Sequence, residues 1–521
     1  MGMGMTGFSK REVLFGTLLA ASARPARARV GESTSLAGLM PQAAPGRFDA
    51  SIASLETYQT PDWFRDAKFG IWSHWGPQAV PGQGDWYARN LYIPGHPHYD
   101  HHVKTYGHPS AFGYKDIIPL WKAERFDPEA LMARYAAAGA KYFVSMGVHH
   151  DNFDLWNSKH HRWNAAQMGP KRDIVGAWQA AAKRHGLRFG VSEHLGASYC
   201  WWYPNHQFDQ FWTSGKMGVD YDGADPKFVD LYHDNRTEPY RGNGQTWYTT
   251  NPKFQRHWFD RITDLIDNYQ PDLLYSDGGI PFGEVGRAMV AHLYNRKAGR
   301  GGRTEAVYAH KSMSGEFLPK AAVQDVERGV LEGINPLPWQ TDTSNGDWFY
   351  NRNDKFKTTR EVLSMLADIV AKNGNLLLNI VQHPDGSLSP QSEELLTGLT
   401  AWMKVNAEAI HGTRPWRLYG EGPTVAKAGH FAESGNYTAD DVRFTTKGGA
   451  LYAILLGWPQ GESAIKALGS QALPGARIER IDLLGGPKLR FAQGADALRL
   501  ALPAGDPTVL PVLRIRGRGF S

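Results

Sequence analysis

One phrase recurs along this chain and constrains its fold more than any other feature: a capped amphipathic helix, a glycine stop, then a short apolar run. Asp127-Pro128 opens one such helix, with Asp as N-cap and Pro at the first helical position. Its repeat of Leu131, Met132, Tyr135 and Ala138 ends at Gly139, and the run Lys141–Gly147 follows. A second helix, Asp173 to His185, stops at Gly186 before the run Arg188–Ser192. Asn251-Pro252 begins a third, whose Phe254, Trp258, Ile262 and Leu265 share a face, ahead of Asp272–Ser276. Thr358 to Asn373, closed by Gly374, precedes Asn375–Val381, and Lys68–Ser73 is an earlier run of the same kind. Strands apolar on both faces and joined by helices imply right-handed βαβ units and a parallel sheet. Their number favours a closed (β/α)8-type barrel over an open doubly wound sheet. No GxGxxG follows the first strand, which weighs against a dinucleotide fold.

After Gly412–Trp416 the pattern changes. Arg443-Phe-Thr, Ala450–Leu456, Arg477–Leu483 and Thr508–Ile515 are short strand-like runs between Gly- and Pro-rich turns. They predict a C-terminal β-sandwich domain over residues 415–521, behind a barrel over residues 45–414. Charge gives no support to a nucleic-acid partner, since 57 Lys and Arg face 52 Asp and Glu. A single cysteine, Cys200, excludes an internal disulfide and a cysteine-built zinc site. At the N-terminus, Lys10-Arg11, the apolar stretch Val13–Ala23 and the small-x-small site Ala26-Arg27-Ala28 read as a secretory signal over residues 1–28. The basic pair resembles a twin-arginine export signal with its first Arg replaced, and predicts a periplasmic or secreted protein. No later segment approaches about 18 uninterrupted apolar residues, so no membrane span is expected.

In a barrel of this type the functional side chains project from the C-terminal ends of the strands. His74-Trp75-Gly76 follows the first apolar run, with Asp85-Trp86 shortly beyond. His149-His150-Asp151, Glu193-His194 and Asp277-Gly278 follow three others. Histidines, carboxylates and Trp at four strand ends form one polar, aromatic mouth. Aromatic residues are 12% of the chain, and such side chains suit ligands with an apolar face and a polar rim, sugars among them. No metal is expected: His149-His150 form no HxH or HExxH, and adjacent strand residues of this kind point to opposite faces. Paired carboxylates with sugar-binding aromatics fit a glycosidase, which needs one carboxylate nucleophile and one carboxylic acid. The Trp-rich stretch Tyr199–Tyr248, with Trp201, Trp202, Trp212 and Trp247, reads equally as an aglycone subsite or a packed surface lobe.

The residues also carry a resemblance. Trp63–Gly76, Asp85–Asn90, Ala138–Tyr142, His149–Ser158, Trp163-Asn164, Gly186–Gly190, Pro271–Gly278, Pro338–Thr343 and Asn373–Asn379 stand in the order found in glycoside hydrolase family 29, the α-L-fucosidases. The resemblance covers roughly residues 55 to 415. It implies a catalytic α/β barrel followed by a β-sandwich, and hydrolysis of terminal α-L-fucosyl linkages with retention. The implied substrate is a fucosylated oligosaccharide or polysaccharide, with no cofactor. Carried over residue by residue, it makes Asp277 the nucleophile, His74, His149 and His150 sugar-binding histidines, and Trp86 an aromatic wall. Two positions depart from the family pattern. Ser192-Glu193-His194 stands where many members have Tyr-Tyr-Ser, and Tyr275 where Trp is frequent, so Glu193 and Tyr275 are expected to bear on sugar recognition. For the acid/base, Glu327 follows the apolar run Ala321-Ala-Val and precedes Pro338-Trp339; Glu332 is next, while Glu284 and Glu305 read as helix-start and strand-entry residues. The alternatives are an α-L-glycosidase on a fucose-like sugar, such as an α-L-galactoside, and a catalytically silent carbohydrate-binding protein.

Overall fold

The apolar runs become the inner strands. The computed structural model describes residues 40–206, 218–236, 238, 247–299, 303–433 and 436–520. Its first strands are β1 (Phe69–Ser73), β2 (Tyr142–Val148), β3 (Arg188–Glu193), β4 (Leu273–Ser276), β5 (Val307–Lys311), β6 (Val323–Asp325), β7 (Trp339–Ser344) and β8 (Gly374–Asn379). Neighbours pair in parallel, and β1 also pairs with β8, so the sheet closes into an eight-stranded barrel. The expected export signal lies outside the described residues, as does Trp212.

Helices cover the barrel: α1 (Pro128–Ala137), α2 (Ile174–Arg184), α3 (Pro252–Tyr269), α4 (Glu284–Arg296), α5 (Thr359–Ala371) and α6 (Pro390–Asn406). The four helix starts read from the recurring phrase are capped. The side chains of Asp127, Asp173 and Asn251 accept from first-turn amides, and Thr358 with Glu361 forms a capping box. Inside the barrel, packing depends on one small residue. A Cβ at Gly70 would run into the ring of Tyr142 on the neighbouring strand. That ring crosses the interior, and its hydroxyl donates to Gln340 Oε1 on β7 at 2.9 Å.

The C-terminal part is antiparallel throughout. It comprises β9 (Arg414–Glu421), β10 (Val442–Lys447), β11 (Ala450–Leu455), β12 (Glu462–Ile465), β13 (Arg477–Leu483), β14 (Phe491–Gln493), β15 (Leu498–Ala501) and β16 (Val512–Arg518). These form a five-stranded sheet, β13-β16-β11-β10-β9, and a three-stranded sheet, β12-β15-β14. Phe444, Leu451, Leu455, Leu468, Ile481, Leu498 and Leu513 fill a core of their own. The barrel and this domain are joined through α5. Arg443 Nε on β10 donates to Asp368 Oδ1 at 2.5 Å, and Lys372 Nζ to Asp368 Oδ2 at 2.9 Å, all buried. No helix of the described residues is long and apolar enough to cross a membrane.

Candidate active site

Side chains along a strand alternate, so every second residue at each C-terminal strand end faces the barrel axis. On β4 these are Tyr275 and then Asp277; on β5, Lys311; after β6, Glu327; on β7, Asp342. With Trp72 and His74 from β1, His149 and His150 after β2 and His194 after β3, they line a cavity of about 440 Å³ at that end of the barrel. Trp86, Asp85, Trp247, Trp348 and Phe431 complete its walls.

Asp277 is held from three sides. Lys311 Nζ lies 2.8 Å from its Oδ1, while His150 Nε2 and His194 Nδ1 lie 3.2 Å and 3.5 Å from its Oδ2. Burial alone would raise its pKa, but the Lys311 ammonium, then His194 and His150, overbalance that and hold the carboxyl well below the usual range. Both ring nitrogens of His150 face acceptors, since Nδ1 lies 2.7 Å from the His194 carbonyl oxygen.

Glu327 shares the same cation, Lys311 Nζ being bonded to its Oε2. Here burial wins: with Asp342 and Asp277 adding negative charge, the Glu327 carboxyl is pushed up to about 7 despite Lys311. One ammonium thus sits between a carboxyl kept ionised and one poised to hold its proton. Burial opposes the charge on Lys311, and Asp277, Asp342 and Glu327 more than offset it, so its pKa stands well above the ordinary value. Asp342 Oδ2 is 3.6 Å from Lys311 Nζ and accepts from the Tyr275 hydroxyl at 3.1 Å.

The histidines opposite are neutral donors or acceptors. Burial, with His194 for His74 and His150 for His149, lowers both well below the usual imidazole range, and burial takes His194 down to about 4. Gln78 Nε2 orients His149 through Nδ1 at 2.9 Å. Among the described residues His74 Nδ1 and His194 Nε2 have no hydrogen-bond partner, which leaves them available to hydroxyls of a ligand. β2 ends at Val148, so His149 and His150 sit in a turn and both rings reach the cavity, unlike consecutive strand residues. They fall into different donor sets, His74-His149-His194 and His150-His194-Asp277, each with ligand atoms within 4.8 Å of one another and each able to ligate a cation.

A family model described as Alpha-L-fucosidase matches residues 36–408. The chain belongs to the alpha-L-fucosidase family. Tissue alpha-L-fucosidase of Mus musculus is 28% identical over 491 residues, which cover 90% of this chain and 93% of that protein. Plasma alpha-L-fucosidase of Homo sapiens is 30% identical over 432 residues, 79% of each chain. Among solved structures, Thermotoga maritima alpha-fucosidase in complex with fucose is similar with a TM-score of 0.68 and 28% identity, covering 90% of this chain and all of that one (100%). These likenesses agree with the barrel and C-terminal β-domain seen here.

Set within this alpha-L-fucosidase fold, the residues singled out in the sequence mostly converge. Asp277, Glu327, His74, Trp86, His149, His150 and Tyr275 all line the one cavity. Glu193 does not. It is the last residue of β3 and points outward, where its carboxylate accepts from Trp258 Nε1 of α3 at 3.1 Å and from the Ser276 hydroxyl. The next residue, His194, takes the place facing the cavity. Glu332 and Glu284 are exposed, outside the cavity lining, and Glu305 precedes β5 at the opposite end of the barrel. In the Trp-rich stretch, Trp201 and Trp202 are fully buried, Trp201 packing behind Trp86 and His150. Trp247 alone of its described tryptophans reaches the cavity. Lys311, Asp342, Trp348 and Phe431 were not recognised from the sequence as site residues. For Lys311 there was a signal: a lysine closing the apolar run Ala306–Ala309 at a strand's C-terminal end.

Proposed function

We propose that this protein hydrolyses terminal α-L-fucosyl linkages of glycans with retention, Asp277 attacking the anomeric carbon and Glu327 protonating the departing oxygen. The observation that carries the reading is the shared contact with Lys311. Two carboxyl groups on one ammonium nitrogen have their nearest oxygens no more than about 6 Å apart. That agrees with the roughly 5–5.5 Å spacing of retaining glycosidases better than with the ~6.5–9.5 Å that admits a water. Their opposite pKa displacements fit the two roles, an ionised nucleophile and a protonated acid. In the first step the Asp277 carboxylate forms a bond to the anomeric carbon as the glycosidic C–O bond breaks, and the Glu327 proton goes to the leaving oxygen. In the second, Glu327 takes a proton from water, whose oxygen displaces Asp277. His74 Nδ1, His194 Nε2 and the Trp86 ring are the groups suited to hold the sugar.

The test is a screen of aryl α-L-fucoside against aryl α-L-galactoside, β-D-galactoside and α-L-arabinoside. Release from another glycoside and none from the fucoside would overturn the substrate assignment. Asp277→Gly should lower turnover by on the order of 10^4-fold or more, with azide restoring it as the inverted glycosyl azide; rescue without that product would remove Asp277 as nucleophile. The reading of the N-terminus adds export to the periplasm or medium. A native protein whose first residue is still Met1 or its neighbour would refute it.

A further inference from the structure

The β-domain does more than pack against the barrel, because one of its connections reaches the cavity. Residues 422–441 link β9 to β10, and part of this segment lies along the stretch that carries Glu327. Gly429 and Val330 form an antiparallel bridge. The Phe431 N–H donates to the Glu327 carbonyl at 2.8 Å, and the Glu327 N–H donates to His430 Nδ1 at 3.0 Å. His430 Nε2 in turn meets Ser312 Oγ at 3.2 Å. Further along, Glu433 pairs with Lys357 at 3.0 Å and bonds the Thr343 hydroxyl. The approach is so close that a Cβ at Gly329 would overlap the Gly429 carbonyl oxygen.

What this clamp presents is Phe431. The residue lines the cavity yet is 62% exposed, and its backbone has φ +56°, a region bulky residues rarely occupy. An exposed aromatic held in a strained conformation at a cavity mouth is costly unless a ligand uses it. Met313 and Ser314, from the loop after β5, line the same wall. An apolar platform with a hydroxyl beside it suits a pyranose, which has a C–H face and a polar rim. Its side of the cavity is fixed by Glu327: the group that protonates the glycosidic oxygen adjoins the leaving group, and Phe431 is bonded to that residue's own backbone.

We propose that the β9–β10 connection builds the subsite for the sugar next to the fucosyl unit, with Phe431 as its stacking platform. The proposal rests on the fucosidase reading above and adds a specificity-determining residue from the second domain. It is tested on the full-length protein with two substrates: α-L-fucosyl fluoride, whose leaving group has no ring, and a fucosyl disaccharide with a pyranose leaving group. Phe431→Ala should lower kcat/KM for the disaccharide by about tenfold, chiefly through KM, and for the fluoride by less than about threefold. Phe431→Trp should recover most of the disaccharide activity. Equal losses on both substrates, or no loss on the disaccharide, would overturn the proposal. A wild-type protein that turns over neither substrate would instead overturn the fucosidase reading, and the proposal with it.

Discussion

Lys311 gives the site its character at the scale of single residues, because one cation serves two carboxyls displaced in opposite directions. The proposed mechanism needs Asp277 ionised, and its pKa is held low, so the acid limb of activity should fall below the ordinary carboxylate range. The same mechanism needs Glu327 protonated, and its carboxyl is pushed up to about 7, so activity should fall as pH rises through that value. Since the two groups interact, these limbs belong to the pair. Glu327→Gln should abolish the basic limb and cost unactivated glycosides about 10²–10⁴-fold while sparing aryl glycosides with good leaving groups. If slow substrates are untouched, Glu327 is not the acid. Lys311→Met withdraws positive charge from both carboxyls, so both limbs of the pH–kcat/KM profile should move to higher pH. An unmoved profile would mean that Lys311 does not tune them.

Among elements, what could be read from the sequence depended on how apolar a strand is. β1 to β4 and β8 stand out because both faces are buried in hydrocarbon and a capped helix or glycine stop marks the way in. β7, Trp339-Gln-Thr-Asp-Thr-Ser344, is wholly buried yet mostly polar, because Gln340 and Asp342 bond to groups inside the barrel. Such a strand shows no hydrophobic alternation. β6 has only three residues, too few for any period. The same alternation explains the error at Glu193: a glutamate at a strand end looks functional until the strand's register decides which way it points. Phe431 was beyond reach, since nothing local says that a loop 154 positions past Asp277 returns to it. The loop's seat on the barrel is testable at Gly329. Gly329→Ala should force the β9–β10 connection off the Glu327 segment and cost about 1–3 kcal/mol, read as a lowered unfolding midpoint with reduced turnover of unactivated glycosides. Full retention of both would show that the contact yields without consequence.

For the whole molecule, the joint at α5 couples the two domains. Asp368 is fully buried between Arg443 and Lys372, and Arg360 Nη2 reaches the Tyr437 and Leu456 carbonyls, both at 3.1 Å. Arg443→Met leaves Asp368 with one cation and should destabilise by about 3–5 kcal/mol. Adding Asp368→Leu should not return that loss, since it strips the buried Lys372 ammonium of its carboxylate in turn. Differential scanning calorimetry of the single and double variants checks both, and equal midpoints in wild type and Arg443→Met would refute the coupling. The clamp on Glu327 gives the carboxyl pair unequal anchorage: Asp277 ends a barrel strand, whereas the backbone of Glu327 leans on a loop of the other domain. Gentle heating that loosens the β-domain first should therefore inactivate this protein in a fixed order. On the proposed roles, hydrolysis of natural glycosides, which need the proton, should fade while aryl fucosides are still cleaved, so the choice of assay substrate would set the apparent thermal half-life.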